Sequence, residues 1–138
     1  MPHLFRIPRP LLAAVRERAR LEPGREVCGL LAGPPDAAPS RHIPITNRAE
    51  RHDRFDMDAA ELIDAFRAMR EAGEELAAIY HSHPFGPAEP SATDIAECQY
   101  PEAVHLIVGL AGGALEARAY RIADGEVSEL AVRTEEGG

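Results

Sequence analysis

The chain has 138 residues, enough for one domain to bury its own core without disulfides or repeats. Its 23 acidic residues outnumber 15 basic ones, all arginine, for a net charge of -8; with no basic patch in view this excludes a nucleic-acid surface, and the absence of lysine excludes an isopeptide-linked modifier on the chain itself. Two cysteines, Cys28 and Cys98, read as small buried hydrophobes, and with no leader pattern and no membrane-length apolar run the expected location is the reducing cytoplasm, away from membranes.

Residues 3–7 alternate as a first strand, and Pro10 suits the first turn of a helix whose apolar face is Leu11, Leu12, Val15 and Ala19, ended by Pro23-Gly24. The arginines between those apolar positions read as a solvated face. Glu26 to Gly33 is an apolar run between glycines and predicts a central strand; Glu26 puts a charge at its edge, where a carboxylate is uncommon without a partner. Residues 34–40 form a loop, and 42–47 a strand placed at the sheet edge by Pro44, with His42 on the surface. Residues 48–57 are polar and irregular, with His52 and Asp53 distant from other candidate ligands. Asp58 with Glu61 reads as a capping box opening a helix through Leu62, Phe66 and Met69 to Gly73. Ala77 to Tyr80 predicts a buried strand, and after the segment 81–94 a short helix runs to about Tyr100. Ala103 to Leu110 is an apolar strand holding His105 as a core histidine; hairpin turns at Gly112-Gly113 and Asp124-Gly125 join it to strands 115–122 and 127–132. The mixture of hairpins and helices predicts a single-domain α/β fold over residues 1–134, a mixed β-sheet flanked by helices, followed by a polar tail, 135–138.

The chemistry concentrates between His81 and Asp94. Strand side chains repeat with period two, so His81 and His83 leave the same face at the end of the buried strand, where two imidazoles can converge on one zinc ion. Pro84 stops the strand, a Pro- and Gly-rich loop turns the chain, and Ser91-Ala92-Thr93-Asp94 opens a helix with the carboxylate in its first turn. Ser-x-x-Asp is also a plain helix-capping pattern, with Ser91 as N-cap. His81, His83 and Asp94 together make the three protein ligands of a catalytic zinc site, leaving a fourth position open. Beside such a site Glu26 becomes the obvious general base; away from it, Glu26 is an exposed strand start.

With Glu26-x-Cys28-Gly29-Leu30-Leu31-x-Gly33 upstream and His81-x-His83-Pro84 and Ser91-x-x-Asp94 downstream, the sequence resembles the JAMM (MPN-plus) zinc metallopeptidases. Asn47, the Phe55-Asp56-Met57-Asp58 stretch and the strand before His81 also look like that family's pattern. The resemblance implies a cytidine-deaminase-like fold, one zinc ion held by His81, His83 and Asp94 together with a water, Glu26 activating that water, and Ser91 helping to hold the tetrahedral oxyanion. It implies cleavage of an amide or isopeptide bond, often after the Gly-Gly tail of a ubiquitin-like protein. The compact chain has little room for the insertions of the eukaryotic deubiquitinases and resembles the small prokaryotic members, whose substrates include ubiquitin-like sulfur carriers bearing a C-terminal adduct. A homodimer is compatible with this reading. The alternatives are a zinc-containing binding module that holds a ubiquitin-like partner without turnover, and a cell-wall peptide hydrolase. A zinc deaminase lacks support, there being no Pro-Cys-x-x-Cys. The chain's own Gly137-Gly138 is a further expectation, as a product mimic entering a neighbour's cleft.

Overall fold

The apolar runs seen in the sequence become strands of one sheet. The structure, a computed structural model, describes residues 3–51 and 53–136. In chain order they form β1 (Leu4–Pro8), α1 (Arg9–Leu21), β2 (Cys28–Gly33), β3 (Arg41–Ile45), α2 (Ala59–Ala72), β4 (Glu75–Ser82), α3 (Ala92–Ala96), β5 (Val104–Ala111), β6 (Ala114–Ala123) and β7 (Glu126–Glu135). The seven strands are ordered β1-β7-β6-β5-β4-β2-β3. β4 pairs parallel to β5 and β1 parallel to β7, and the other neighbours are antiparallel, so the sheet is mixed as expected. The central strands β2, β4 and β5 are covered on both faces, which is why they read as continuous apolar runs and not as alternating ones.

Side-chain alternation divides the core in two. Leu31, Ala78, Tyr80, Leu106 and Val108 pack beneath Leu12, Val15 and Ala19 of α1. Cys28, Leu30 and Ile79 face the other way, onto Ala65 and Met69 of α2. Tyr80 and His81, consecutive in β4, therefore look to opposite sides of the sheet. Gly29 is required where β2 passes the Tyr80 ring, since a Cβ there would lie 2.4 Å from Tyr80 Cε2. Gly73 ends α2 in the left-handed region at φ 69°.

Several local expectations are corrected. β2 begins at Cys28, so Glu26 precedes the strand instead of opening it. α3 stops at Ala96, well before Tyr100. The Asp58–Glu61 box is half formed: Asp58 accepts from the Glu61 N–H at 2.9 Å, but the Glu61 carboxylate accepts from Thr46 N–H at 2.8 Å and so pins α2 to the end of β3. Arg18 is not part of a solvated face. It reaches under the sheet to donate to the Cys28 carbonyl, to Tyr80 Oη at 3.0 Å and to the Ile45 carbonyl at 3.1 Å. His42 is half-buried, its Nε2 2.6 Å from the same Tyr80 oxygen. β7 continues through Glu135, which pairs with Pro8 and forms an ion pair with Arg6 at 2.6 Å, one residue into the stretch expected as tail. Gly137 and Gly138 lie outside the described residues.

Candidate metal centre

The end of β4 sets the centre. Cys28 lies opposite His81 in the β2–β4 ladder, and the pairing continues past the start of β2: Ser82 N–H donates to the Val27 carbonyl at 3.0 Å and Val27 N–H to Ser82 Oγ at 2.9 Å. Continued one step, this register brings Glu26 opposite His83, on the face that carries His81. Beyond the strand the chain keeps following β5, with His83 N–H donating to the Val108 carbonyl at 2.7 Å and Leu110 N–H to the Gly86 carbonyl at 2.8 Å. The loop lies so close to β5 that a Cβ on Gly109 would meet Ala88 N at 2.4 Å, and Tyr120 Oη donates to the Ala88 carbonyl at 2.6 Å. The Pro-Gly segment is thus clamped, and it delivers Ser91 and Asp94 to the strand end. There both halves of the capping box form: Asp94 N–H donates to Ser91 Oγ at 3.0 Å and Ser91 N–H to Asp94 Oδ2 at 2.9 Å.

Capping and convergence use the same carboxylate. Asp94 Oδ2 is 3.1 Å from His81 Nε2 and 3.0 Å from His83 Nε2, and the two nitrogens are 3.1 Å apart. Three donor atoms bound at 2.0–2.1 Å to one tetrahedral ion would stand ~3.3 Å from one another, close to this triangle. The Pro87 carbonyl, 2.9 Å from His83 Nδ1, can only accept, so that nitrogen carries the proton and leaves the Nε2 lone pair aimed at the carboxylate oxygen. Two lone pairs at that distance need a cation between them, either a proton or a metal ion. The titration behaviour agrees. Burial favours neutral imidazole at both histidines and is the largest influence on each; at His81 it prevails and lowers the pKa, whereas at His83 the hydrogen bonds to Asp94 and the Pro87 carbonyl, with the Asp94 and Glu26 charges, together outweigh it and raise the pKa. Burial alone would raise Asp94, but the hydrogen bonds from His81 and His83 hold it well below the usual carboxylate range.

Glu26 completes a second triple. One oxygen of its carboxylate and one nitrogen from each of His81 and His83 lie within 4.8 Å of one another. Glu26 is only 5 % exposed, and its Oε1 and His81 Nδ1 are the buried side-chain polar atoms left without a hydrogen-bond partner among the described residues. Burial lifts its carboxyl from 4.5 to about 7, partly offset by the charge of His83. A buried carboxylate with no partner is costly unless something else approaches it. The donor set and this orphaned oxygen fit a divalent metal of the zinc type, with His81, His83 and Asp94 as ligands and Glu26 one step away. Ser91 Oγ spends a lone pair on Asp94 N–H, and its own proton remains free to donate.

Residues that the sequence left in the background support this set. Phe55 stacks on His81, ring centroids 4.5 Å apart and planes 25° from parallel. Asn47 Nδ2 donates to the Glu26 carbonyl at 2.9 Å and to the Arg54 carbonyl at 3.2 Å, while its Oδ1 accepts from Ala49 and Asp56 N–H, each at 2.9 Å. Residues 48–51 and 53–57 are therefore a stitched wall and not a free loop, His52 lying outside the described residues. They face Thr93 to Tyr100 across a cleft of about 600 Å³ floored by Ile79, His81 and His105. His105 is a buried histidine as expected; Cys28 is buried, and Cys98 is half-buried with its sulfur 3.4 Å from His105 Nε2. Asn47 was visible in the sequence as a resemblance only; its four bonds depend on segments that meet in three dimensions.

The chain's relatives fit this geometry. Residues 8–123 match the family described as prokaryotic homologs of the JAB domain, Prok-JAB. The chain is similar to the CysO-cysteine peptidase of Mycobacterium tuberculosis, 38% identical over 128 residues that cover 91% of this chain and 88% of the relative. It is also similar to the desampylase of Haloferax volcanii, 35% identical over 91% of this chain and 89% of the relative. A protein of Desulfitobacterium hafniense, solved in solution, superposes with a TM-score of 0.85 at 28% identity, covering 96% of this chain and 93% of its own. A JAB1/MPN domain protein of Archaeoglobus fulgidus, at 22% identity and TM-score 0.60 over 93% of this chain and 98% of its own, shares the fold. With a family match spanning most of its length and relatives above a third identical, this chain belongs to the prokaryotic JAB-domain family.

Proposed function

We propose that the protein is a zinc-dependent peptidase that hydrolyses an amide or isopeptide bond after the C-terminal Gly-Gly of a ubiquitin-like, sulfur-carrier-type protein. The observation that carries this reading is the buried, unpartnered Glu26 Oε1 beside the pairwise-converging His81, His83 and Asp94. Support for the substrate class comes from relatives named CysO-cysteine peptidase, desampylase and, in Thermus thermophilus, probable TtuB-protein conjugate cleaving protease. The absence of any membrane-length apolar helix among the described residues, and free Cys28 and Cys98, agree with work in the cytoplasm.

His81, His83 and Asp94 hold one zinc ion, and the Pro87 carbonyl fixes the tautomer in which His83 presents Nε2. Bound there, zinc supplies a Lewis acid that polarises the scissile carbonyl and lowers the pKa of water. Glu26 accepts the proton of the attacking water as the new C–O bond forms, then returns it to the departing nitrogen as the C–N bond breaks, leaving a carboxylate and an amine. The free proton of Ser91 Oγ donates to the carbonyl oxygen as its negative charge grows, an interaction strongest in the transition state. The cleft between residues 48–51 and 54–57 on one side and 93–100 on the other takes the extended chain around the bond that is cut.

The test is intact-mass analysis of zinc-loaded protein and its Glu26→Gln variant against ubiquitin-like sulfur carriers extended beyond Gly-Gly, ubiquitin conjugates and cell-wall peptides. Cleavage after Gly-Gly by the parent alone is the expected result. Zinc uptake with no cleavage of any substrate would leave a binding module, and cleavage of the cell-wall peptides alone would move the substrate class.

A further inference from the structure

We propose that Arg54 selects the leaving group: its guanidinium exchanges the Glu97 carboxylate for the free α-carboxylate of an amino acid joined through its amine to the substrate's Gly-Gly. A single amino acid is then released in preference to a protein lysine; this deepens the peptidase reading and rests on it. The cleft wall carries Arg48, Arg51 and Arg54, in a chain whose net charge is -8. Two of them are held from their own side. Arg48 Nε donates to Asp58 at 2.8 Å, and Arg51 holds Asp53 through two bonds of 2.9 and 2.6 Å. Arg54 instead reaches across the opening, where Nη2 donates to Glu97 Oε2 on the opposite wall at 2.6 Å. A guanidinium can offer a carboxylate two parallel donors, and this contact uses one. Both side chains are exposed, 40 % for Arg54 and 57 % for Glu97, so the pair adds little stability and exchanging one carboxylate for another costs little.

The backbone sets that guanidinium beside the centre. The Asn47 amide that donates to the Glu26 carbonyl donates also to the Arg54 carbonyl, and the next residue, Phe55, stacks on His81. Glu97 follows Asp94 by three residues, and its N–H donates to the Thr93 carbonyl at 2.9 Å, so the helical path of α3 is kept and the two side chains share one side, Cβ atoms ~5–6 Å apart. Arg54 therefore stands about one helical turn from a metal ligand. Its charge then names the side of the scissile bond that it reads. Two glycines carry no side chain and their carboxyl end lies in the amide, so the acyl side offers no anion next to the bond. An amino acid attached through its α-amine has its carboxylate carbon ~2.5 Å from the scissile nitrogen. A lysine within a protein has none near its ε-amine, since its own carboxyl is taken up in a peptide bond.

The test sets a sulfur carrier ending in Gly-Gly-alanine against the same carrier ending in Gly-Gly-alaninamide, two substrates that differ only in the carboxylate. The parent should favour the free acid in kcat/KM by ~10- to 100-fold, the range of a charge-assisted contact, and Arg54→Gln should bring the two to parity. Glu97→Gln, which releases the guanidinium from its competitor, should widen the preference. No preference in the parent, equal losses on both substrates in Arg54→Gln, or a preference narrowed by Glu97→Gln overturns the proposal. So does a lysine-linked carrier cut as fast as the free acid. Recognition is read apart from turnover by the Kd of the two carriers for zinc-loaded Glu26→Gln, with and without Arg54→Gln. If the parent cuts neither carrier the peptidase reading falls, while the ratio of those Kd values still decides the role of Arg54.

Discussion

Tyr80 and His81 are neighbours in β4 that open onto two buried polar clusters, one on each side of the sheet. Under α1, Tyr80 Oη, Arg18 and His42 form a closed set, in which the guanidinium also occupies the Cys28 and Ile45 carbonyls. On the other face, His81 joins His83, Asp94 and Glu26, and two buried atoms, Glu26 Oε1 and His81 Nδ1, remain unpartnered among the described residues. Both clusters are desolvated: burial raises Tyr80 to about 12 and Glu26 to about 7. The difference is in satisfaction. A cluster whose donors and acceptors match stabilises the strand ends it joins, whereas one that leaves acceptors facing each other is arranged for something to arrive.

The largest effect should come from Glu26→Gln. Turnover falls by ~10²–10⁴-fold, the range expected for loss of a general base, while zinc stoichiometry stays the same. Because the variant removes an unpartnered buried charge, the zinc-free protein should also become more stable in denaturant titration, by about 1–3 kcal/mol. A loss of stability would mean that this carboxylate is as satisfied as the Tyr80 cluster, and the comparison breaks. Next is the ligand triangle: His83→Ala or Asp94→Asn should abolish zinc retention after dialysis, read by atomic absorption, and chelation of the parent should abolish cleavage reversibly. Asp94→Asn also weakens the α3 cap, so Ser91→Ala sharpens the reading. That variant loses only about 1 kcal/mol of stability with the cap, but ~10²-fold in kcat if its hydroxyl meets the oxyanion.

Arg18→Met tests the closed cluster. It strands two strand-end carbonyls and Tyr80 Oη, and should cost about 1–3 kcal/mol in chemical denaturation with zinc affinity close to that of the parent. The smallest effect is one of pH. Burial, and then the Arg18 charge, keeps the His42 pKa below its usual 6.5. Below about 6.5 the unfolded chain takes up a proton there that the folded chain does not, so stability is full above that pH and declines as the pH falls toward the depressed value. His42→Gln should flatten that part of the stability profile; an unchanged slope would remove His42 from the cluster.

Much of the fold was legible because periodicity reports burial directly: the runs around Leu30, Ile79 and Ile107 are continuous where both faces are covered, and those strands are central. The ligand set was legible for a related reason. His81 and His83 share a face by strand period, and Ser91 with Asp94 is a local pattern that folds as a capping box whatever else it does. Arg18 and His42 were misread because a long side chain and a half-polar ring can face either way, and local spacing does not reveal a hydroxyl waiting beneath the sheet.

The sequence alone determined the elements whose causes are local: the helix faces, the turns at glycine, the two histidines on one face and the cap at Ser91. Only the tertiary structure decided that Glu26, 55 residues before His81, stands beside it with Oε1 unpartnered among the described residues, through a pairing that continues past the start of β2 to Val27. It also decided that Asn47 joins Glu26 to the cleft wall and that the Pro-Gly segment is clamped by β5 and β6. The physical reason is common to all three. Partnership between buried or clamped groups depends on register between distant segments, and register is set by the packing of the whole sheet.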